Sequence, residues 1–543
     1  QLNTDPNSLD LKMKRPASTN VRPKINRNIM NSAQQRDGHI DGMEVPWTGV
    51  PGELETFISQ NGGSGAFILE AGKIYVTLDE ILVPPGESLV LIGAEPAMGQ
   101  HPATIQPGTG NENFSMFKLD QDDSEIQLHH LILNAYSPAF QWGLSYLVDD
   151  QGSHCNVVVD HCVVSGVATI VFRNMGVKTS FHVTNSTFTD FTSYQSGIFY
   201  GGVLWGGGSW MGTLKNVFFQ NNTIQGVIGE AFVIYEHVEN GLIDHNTFAN
   251  ISMNPIWYRG QNNLQVTNNL FYNNKAYGQS SFDINNWGVW YEGGVGQMAL
   301  RNKNIPGYAS GTGTYEMGDG TIVDMNNRNI SWANNAAVWS PALTNWIDNL
   351  SGENYGDNSW SWTITDVDDY GNEYEQTYYD TMLTVEQQWK WLDDTTQAVI
   401  DLGVGVSSID NALLSSGDLG SNIQENYIEA QLARTLDFRD NQIMDGVGAS
   451  SDWVYQGDAD ISSVAWPLDL DISYSENSTA FTHSDLGLPI GNLHAFPDKY
   501  EEWKALTTPV IGVEYEYSSV ADLFADFGTV LESGGVDCAG CEG

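Results

Sequence analysis

Basic residues, cysteines and long apolar runs are all scarce in this 543-residue chain. Its 22 Lys and Arg oppose 67 Asp and Glu, and the net charge of −45 disfavours binding to nucleic acid or anionic lipid. Four cysteines are too few to build a disulfide framework for a protein of this size. No apolar run reaches the roughly 20 residues that a membrane-spanning helix needs. We therefore expect no nucleic-acid partner and no membrane span.

Apolar residues and turn-forming residues are plentiful instead. Hydrophobic residues make up 41% of the chain, which is enough for a large core, and the 56 glycines favour turns over long helices. The chain begins with Gln rather than Met, so we expect a mature chain after signal-peptide removal, located outside the cell or on its surface. A body this acidic suits a secreted bacterial protein. Ca²⁺ is the one cofactor that it suggests.

The charge is distributed unevenly. Residues 1–36 hold seven basic and two acidic side chains, a charge of +5, which leaves 15 − 65 = −50 for the rest. Such a polar segment cannot form a core of its own. We expect this basic arm, residues 1–37, to lie on an acidic surface, either that of its own chain or that of a neighbouring copy.

A short phrase that alternates apolar and polar residues around an Asn or His recurs along the chain. "LIDHNTFANI" and "QVTNNLFYNN" are two copies of it. The copies are spaced 24, 36, 24 and 23 residues apart, and they centre on His161, Asn185, Asn221, His245 and Asn268. Weaker copies centre on His130 and Asn326.

This period predicts an all-β fold, a right-handed parallel β-helix with long loop insertions and a little helix in its last third. One coil of such a solenoid needs three short strands and three turns, and equivalent residues of successive coils stack in rows. Asn is favoured at the bend because it tolerates the left-handed region and its amide can bond the next Asn. The spacing predicts an apolar inner row and a buried Asn ladder. The members of the inner row are Phe188, Ile224, Phe248 and Phe271, and those of the ladder are Asn185, Asn222, Asn246 and Asn269.

Two segments carry a resemblance to known proteins. "GAFILEAGKIYVTLDEILVPPGESLVLIGAEPAMGQHPATIQP" (Gly65–Pro107) resembles the entry segment of the pectate-lyase-like right-handed β-helix superfamily. "SDLGLPIGNLHAFPDKYEEW" (Ser484–Trp503) resembles the closing segment of secreted bacterial β-helix repeat proteins of unassigned activity. The resemblance implies a β-helix over roughly residues 65–335, and it rests on pattern rather than on catalytic motifs.

The same patterns divide the chain into five parts. They are the basic arm 1–37, a cap with the first coils 38–110, the β-helix 111–340, an acidic irregular insertion 341–450, and C-terminal coils or a capping segment 451–543. The best helix candidate is Thr384–Gly403, in which Thr384 and Gln387 have the spacing of a capping box.

Polysaccharide lyases of this fold need a cation to neutralise a uronate and a base to remove its C5 proton. The candidates for these roles are Arg173, Tyr235 and Arg259, which follow the repeated turn by 12–14 residues, and His237 near them. The alternative is that they stabilise loops and cover the sheets, because 15 basic residues in a body of charge −50 attract little polyanion. Trp pairs that could stack on sugars, or equally pin loops, are Trp205 with Trp210 and Trp287 with Trp290.

Two acidic stretches and two cysteine pairs complete the candidates. "DVDDYGNEYE" offers Asp366, Asp368 and Asp369 as a loose Ca²⁺ site, although Tyr370 at the fifth ligand position excludes an EF-hand. "VDDQGSH" (148–154) holds adjacent carboxylates at a spacing that does not fit glycoside hydrolysis. Cys162 falls in the same row as the ladder, so we expect it to be buried there, and Cys155 is near enough in sequence to pair with it. A terminal Cys538–Cys541 disulfide is favoured over a metal site there.

Two functions remain open at this level. The first is a secreted or cell-surface structural or interaction protein that can self-assemble through its basic arm. Its partners are copies of itself or other surface proteins. The second is an extracellular lyase or glycan-binding protein that acts on an acidic polysaccharide. We favour the first, because no catalytic constellation occurs at a recognisable spacing.

Overall fold

The computed structural model describes the greater part of residues 42–419 and a C-terminal stretch. The described ranges are 42–137, 142–189, 191, 202–206, 212–227, 230–234, 237–251, 254–258, 263–275, 299–300, 313–350, 360–367, 373–380, 383–392, 394–419 and 473–507. Contacts divide the chain into two units, 1–497 and 498–543.

Most described strands belong to three long sheets in which every pairing is parallel. Sheet A contains β1 (Met43–Val45), β2 (Gly65–Leu69), β5 (Ser88–Gly93), β8 (Glu125–His129), β13 (Asn156–Asp160), β16 (Ser180–Thr184), β19 (Thr213–Gln220), β22 (His237–Asp244), β25 (Asn263–Thr267), β30 (Asn329–Ala333) and β34 (Val406–Ile409). Sheet B contains β3 (Ile74–Thr77), β6 (Thr104–Pro107), β9 (Ile132–Asn134), β14 (Val163–Ser165), β17 (Thr187–Thr189), β20 (Thr223–Gln225), β23 (Thr247–Ala249), β26 (Leu270–Tyr272), β31 (Ala336–Trp339) and β35 (Ala412–Ser415). Sheet C contains β4 (Ile81–Leu82), β7 (Ser115–Leu119), β12 (Tyr146–Asp150), β15 (Ile170–Asn174), β18 (Gly202–Gly206), β21 (Phe232–Ile234), β24 (Ile256–Tyr258) and β27 (Ala299–Leu300).

The chain visits the three sheets in the same order again and again, and we call one such passage a rung. From a strand of sheet A it turns into sheet B, continues into sheet C, and returns to sheet A beside the strand it left. The register follows the sequence period, since Asp160 pairs with Thr184, 24 positions later, and Gln220 pairs with Asp244. The repeated phrase is therefore one strand–turn–strand unit of successive rungs, as the spacing predicted.

The interior between the sheets is apolar. The predicted inner row is confirmed, because Phe188, Ile224, Phe248 and Phe271 are paired neighbours in sheet B and are fully buried. The rings of Phe248 and Phe271 stack with centroids 5.0 Å apart. Such stacking of identical positions buries large aromatic area in each rung, and burial of each Phe contributes about 1.5–3 kcal/mol.

A continuous ladder of asparagine amides runs along the corner between sheets A and B, which we call the A–B corner. Its members share the position two residues after a sheet A strand, and they are Asn222, Asn246, Asn269, Asn335 and Asn411. The first four are fully buried, and Asn411, at the end of the ladder, is half-buried. The Nδ2 of each of the first four donates to the Oδ1 of the next amide at 2.8–3.0 Å. Each amide Nδ2 also donates to a backbone carbonyl of the preceding rung, as Asn246 does to Phe219. The amides thus bond rungs on both sides.

The residue before each ladder position makes the turn itself. It has a positive φ of 51–59° in eight rungs, at His130, His161, Asn185, Asn221, His245, Asn268, Asn334 and Asp410. His, Asn and Asp are the non-glycine residues that tolerate this left-handed region best. We call this set the turn row.

Two details of the predicted ladder differ from the structure. Asn185 belongs to the turn row, where its Oδ1 accepts from Asn221 Nδ2 at 2.9 Å, and Ser186 stands at its ladder position. The last predicted copy, around Asn326, is wrong: Asn326 lies in a local turn and bonds Asp324. The next rung instead uses "NISWANNAAV", whose Asn335 accepts from Asn269. An insertion before this rung displaced the repeat from the expected spacing.

Helices close both ends of the described stack. At the start, α1 (Glu53–Gln60) buries Leu54 and Ile58 in the core. At the far end, α4 (Asp394–Asp401) places Val399 in the core. The ring of Trp391 packs against that of Phe271, with ring centroids 6.0 Å apart. The predicted helix over 384–403 is interrupted, because α3 (Val385–Gln388) ends before Trp391 and α4 begins only after it. The predicted Thr384–Gln387 capping box is confirmed.

The remaining elements decorate the three sheets. They are the antiparallel pairs β10 (Tyr136–Ser137) with β11 (Trp142–Gly143), β28 (Thr314–Glu316) with β29 (Ile322–Asp324), and β32 (Trp360–Val367) with β33 (Glu373–Asp380), the helices α2 (Pro341–Leu350), α5 (Ser416–Leu419) and α6 (Pro497–Thr507), and the 3₁₀ turns Thr479–Thr482 and Leu493–Ala495. The stretch 341–450, for which the sequence predicted irregular structure, includes β34 and β35, the last strands of sheets A and B.

Residues 473–496 form a segment that we call the strap. Its apolar residues Tyr474, Ile490 and Ala480 pack with Leu270 and Val338 on the outer side of sheet B. Its backbone then bonds the turn row: Gly491 N donates to Asn268 O at 2.7 Å, and Leu493 N donates to Asn221 Oδ1. The strap therefore covers the A–B corner over the rungs that carry the ladder.

Candidate functional site

The outer face of sheet C carries the lyase candidate Arg173 and the stacking candidate Trp205. Alternation along these strands directs Phe117, Phe172 and Leu204 into the core, so their neighbours face outward. The outward row that results contains Lys118, Asp149, Arg173, Trp205 and Val233 in neighbouring strands. It is a mixed row of one anion, two cations, one aromatic ring and one aliphatic side chain.

Arg173 is held in place by its neighbours. Its Nη1 lies 3.1 Å from Asp149 Oδ1, and its guanidinium stands 4.9 Å from the centre of the Tyr146 ring. Asp149 also accepts from Gln151 Nε2 at 2.8 Å. The arginine charge is therefore balanced within the sheet, while the side chain stays partly exposed beside Trp205. This arrangement suits a positioned contact surface better than a free catalytic cation.

His237 occupies a different environment, at the start of a sheet A strand. It is 5% exposed, and burial lowers the pKa of its imidazole to about 4; Glu239 opposes that effect and Lys178 adds to it. Lys178 Nζ lies 2.5 Å from Glu239 Oε1 and 3.0 Å from Thr321 Oγ1, so it ties the β28–β29 pair to the stack. His237 is thus a neutral, enclosed side chain that does not share a face with Arg173.

Several predicted site residues fall where no structural account is given. Tyr235, Arg259, Trp210, Trp287, Trp290, Asp368 and Asp369 lie outside the described residues, as do Cys538 and Cys541. Asp366 is the second-last residue of β32 and lies opposite Tyr374 of β33. Of the four stacking candidates, Trp205 alone lies within the described ranges.

The adjacent carboxylates Asp149 and Asp150 point to opposite faces of β12. Asp149 faces outward, whereas Asp150 is fully buried and accepts from Asn174 Nδ2 at 2.7 Å and Thr179 Oγ1 at 2.8 Å. Burial raises the pKa of Asp150 to about 7, although both hydrogen bonds oppose the shift. Two carboxylates on opposite faces of one strand cannot act on the same glycosidic bond.

The turn row holds a group of side chains that sequence reasoning did not assign to any chemistry. The imidazole rings of His130 and His161 stack with centroids 4.7 Å apart and planes within 2° of parallel. His161 Nδ1 lies 2.9 Å from Asp160 Oδ2, and one donor atom from each of these three residues lies within 4.8 Å of the others. The signal in the sequence was "HH" at 129–130 and "DH" at 160–161, each at a copy of the repeated turn.

The two central cysteines are separate. Cys155 and Cys162 are both buried and unbonded. Cys162 stands in line with the ladder, as its position predicted, and its backbone N donates to Ser186 Oγ at 3.0 Å. Burial raises the pKa of the Cys155 thiol far above its ordinary value, and the nearby Asp150 charge adds to the effect. Both thiols are therefore unreactive structural residues.

The comparisons with known proteins add no assignment. No protein-family model matches the chain, and a comparison with curated proteins finds no match. Among the helices that the structure describes, none is long and apolar enough to cross a membrane.

Proposed function

We propose that this chain is a right-handed parallel β-helix that serves as an extracellular or cell-surface interaction protein. The observation that carries the proposal is the environment of each of the two lyase candidates that the structure describes. Arg173 is paired with Asp149, and His237 is buried and neutral. A lyase needs its cation and its base on the same exposed surface, within reach of one sugar residue.

The route of self-association that fits best is the basic arm. Addition of strands at the ends of the stack is disfavoured, because α1 and the α4 region cover the interior there. The arm lies outside the described residues, and its charge of +5 against −50 is a property of the sequence. An arm bound to the next copy makes a heterologous contact, which propagates into a filament unless it closes into a ring.

The test is to delete residues 1–36 and measure molecular mass by light scattering at low and high salt. We expect the full chain to assemble at low salt and to dissociate at high salt, because screening weakens contacts between charges. The deletion variant should remain monomeric throughout. A variant with the seven basic residues of the arm changed to Gln keeps its length and should behave like the deletion. A full chain that is monomeric at every salt concentration refutes assembly through the arm.

A second candidate function is binding of an acidic glycan along the outer face of sheet C. It is favoured by one observation, the neighbouring positions of Arg173 and Trp205 on strands β15 and β18. A positioned guanidinium beside an aromatic ring suits a carboxylated sugar.

This alternative is tested by titrating oligogalacturonate and oligoalginate into the full chain. Absorbance at roughly 235 nm, a wavelength typical of unsaturated uronates, is followed during the titration to detect lyase products. Binding without a rise in absorbance, lost in Arg173→Ala and kept in Lys215→Ala, supports glycan recognition. Lys215 is an exposed cation on β19 of sheet A, so it controls for loss of charge. A rise in absorbance that Arg173→Ala abolishes would instead establish a lyase and refute the structural proposal.

A further inference from the structure

The A–B corner brings two imidazoles and a carboxylate together because of its repeat. His130 and His161 take the same left-handed position in consecutive rungs, so their rings project side by side. Asp160 precedes His161 and is the last residue of its sheet A strand. Three side chains of types that bind metals well are thus placed by the backbone, with no loop that has to close around them.

The distances are those of a site that needs only small side-chain rotation. Donor atoms around a tetrahedral ion with bonds of about 2.0–2.1 Å lie about 3.3–3.4 Å apart. The His161 Nδ1 to Asp160 Oδ2 distance is 2.9 Å, and the whole set lies within 4.8 Å. Both imidazoles are partly exposed, with 35% of the His161 side chain accessible, so an ion can reach them and the rings can tilt.

The carboxylate is already oriented by a second set of residues. Asp160 Oδ1 accepts from Thr184 Oγ1 at 2.6 Å and from Asn185 Nδ2 at 2.8 Å. Asp160 Oδ2 is thereby directed towards His161. Metal-binding carboxylates are fixed by hydrogen bonds of this kind.

His494 of the strap covers the same corner from outside. Its ring centre lies 6.1 Å from that of His161. Leu493 N donates to Asn221 Oδ1, and this bond fixes the orientation of the Asn221 amide. The other amide atom, Asn221 Nδ2, lies 3.2 Å from His494 Nε2. His494 Nε2 therefore accepts that hydrogen bond and is occupied, so His494 shields the corner without being a ligand.

We propose that His130, Asp160 and His161 bind one divalent transition-metal ion of the Zn²⁺ class, which replaces the proton between His161 Nδ1 and Asp160 Oδ2. His161 binds as a neutral imidazole with a proton on Nε2: the Nδ1 proton of a neutral ring moves to Nε2, and that of a cationic ring goes to solvent. Water takes the fourth position. Two nitrogen donors and one oxygen donor favour Zn²⁺, Ni²⁺, Co²⁺ or Cu²⁺ over Ca²⁺ and Mg²⁺, which prefer oxygen alone. The site is distinct from the acidic "DVDDYGNEYE" stretch and from the outer face of sheet C.

The chain contains a matched control for this site. Asp244 and His245 repeat the Asp–His pair at the same place in another rung, with His245 Nδ1 3.0 Å from Asp244 Oδ2. The turn-row neighbours of His245 are Asn221 and Asn268, so a second imidazole is missing from that row on either side. His245 is also fully buried. The same dipeptide should therefore bind no transition metal there.

The experiment is calorimetric titration of Zn²⁺ into the full chain, prepared without a histidine tag, and into His130→Asn, His161→Asn and His245→Asn. Asn is chosen because the same turn row already uses it with a positive φ, so the backbone is retained. Circular dichroism checks that each variant is folded. Co²⁺ absorption gives a second readout, since three-ligand sites with a water give intense visible bands.

We expect one Zn²⁺ equivalent that either corner variant weakens at least about tenfold, because even the loss of an outer-shell partner costs about 10–100-fold. His245→Asn should bind like the wild type. Any equivalent held by Cys538 and Cys541 survives both corner substitutions and does not count towards this site. The proposal is overturned if the wild type binds no other Zn²⁺, or if both corner variants bind as tightly as the wild type. Loss of binding in His245→Asn to the same degree would also overturn it.

Discussion

Two corners of the same rungs treat buried polar groups in opposite ways. At the A–B corner, each passage from sheet A to sheet B uses one left-handed residue and one ladder position, and the amides bond from rung to rung. At the corner where sheet C returns to sheet A, which we call the C–A corner, the links vary from residues 235–236 to residues 301–328. A side chain there has no identical neighbour to bond.

The consequence is visible in the charge state of what is buried. The ladder positions at the A–B corner bury neutral amides that bond their neighbours from rung to rung. The carboxylates buried at the same corner, Asp160 and Asp244, each lie beside a turn-row histidine. The C–A corner buries Asp150, whose pKa burial raises to about 7. Close backbone packing accompanies it, since a Cβ on Gly176 would stand 1.6 Å from the carbonyl oxygen of Gly152. The amide ladder therefore satisfies its buried polar groups without any charge, whereas Asp150 relies on contacts from Asn174 and Thr179.

The sharpest way to break the comparison is Asn246→Leu in the middle of the ladder. Leu has nearly the same size but leaves Asn222 N–H and Nδ2 without their acceptor and Phe219 O without its donor. Each orphaned buried group costs about 1–3 kcal/mol, so we expect a loss on the order of 4 kcal/mol in the free energy of unfolding. Urea denaturation measures it.

Asn240→Leu is the control for this change. Asn240 also donates from its amide to the asparagine of the neighbouring rung, Asn216, at 3.2 Å, but it is exposed. Water replaces its lost hydrogen bond, so its effect should stay within about 0.5 kcal/mol. Equal losses from the two variants would show that burial, and hence the ladder, is not what stabilises the A–B corner.

At the C–A corner, Asp150→Asn should have the opposite sign. The folded pKa of Asp150 lies near 7, above the ordinary 3.8, so the folded state binds the proton more tightly than the unfolded state. The wild type therefore loses stability as pH rises from about 4 to about 7. Asn keeps an oxygen to accept from Asn174 and Thr179 and carries no charge. At about 1.4 kcal/mol per pKa unit, a shift from 3.8 to about 7 makes the gain at pH 8 on the order of 4 kcal/mol.

The measurement is the unfolding free energy of both proteins at pH 4 and pH 8. We expect Asp150→Asn to be close to wild type at pH 4 and more stable at pH 8. Asp120→Asn removes an exposed carboxylate just beyond the next strand of sheet C and serves as the control for surface charge. A variant that is destabilised at pH 8 would mean that the ionised carboxylate is required at this corner.

The same contrast explains what the sequence could predict. A period of 23–24 residues predicts the parallel sheets, the inner Phe row and the buried Asn222, Asn246 and Asn269. Residues of the A–B corner supply almost all of that periodic pattern. The rung of β34 and β35 escaped detection because Asn411 follows Asn335 by 76 positions. The copy expected at Asn326 failed because a local Asp–Asn turn has the same composition as the repeated turn.

The candidate site was less predictable than the fold. The stacking of His130 on His161 requires the rung register, which the weak early copy of the phrase only hinted at. Whether Arg173 is free or paired depends on Asp149 in the adjacent strand, 24 positions earlier, and on the face to which each of them points. Contacts across strands of this kind depend on exact alternation, and one residue of shift exchanges the faces.

The smallest predicted effect extends the ladder by one rung. Ser186 occupies the ladder position before Asn222, and its Oγ already accepts from Cys162 N at 3.0 Å. In Ser186→Asn, Oδ1 can take over that bond, while Nδ2 can donate to Asn222 Oδ1, which now accepts from Ser186 N. One added buried hydrogen bond contributes about 0.5–1.5 kcal/mol, and the crowding of a larger side chain reduces that gain.

We expect Ser186→Asn to raise the free energy of urea unfolding by about 0.5 kcal/mol and Ser186→Ala to lower it by a similar amount. If Ser186→Asn destabilises the protein more than Ser186→Ala does, the ladder ends at this rung because space runs out there, and repetition alone does not set its length.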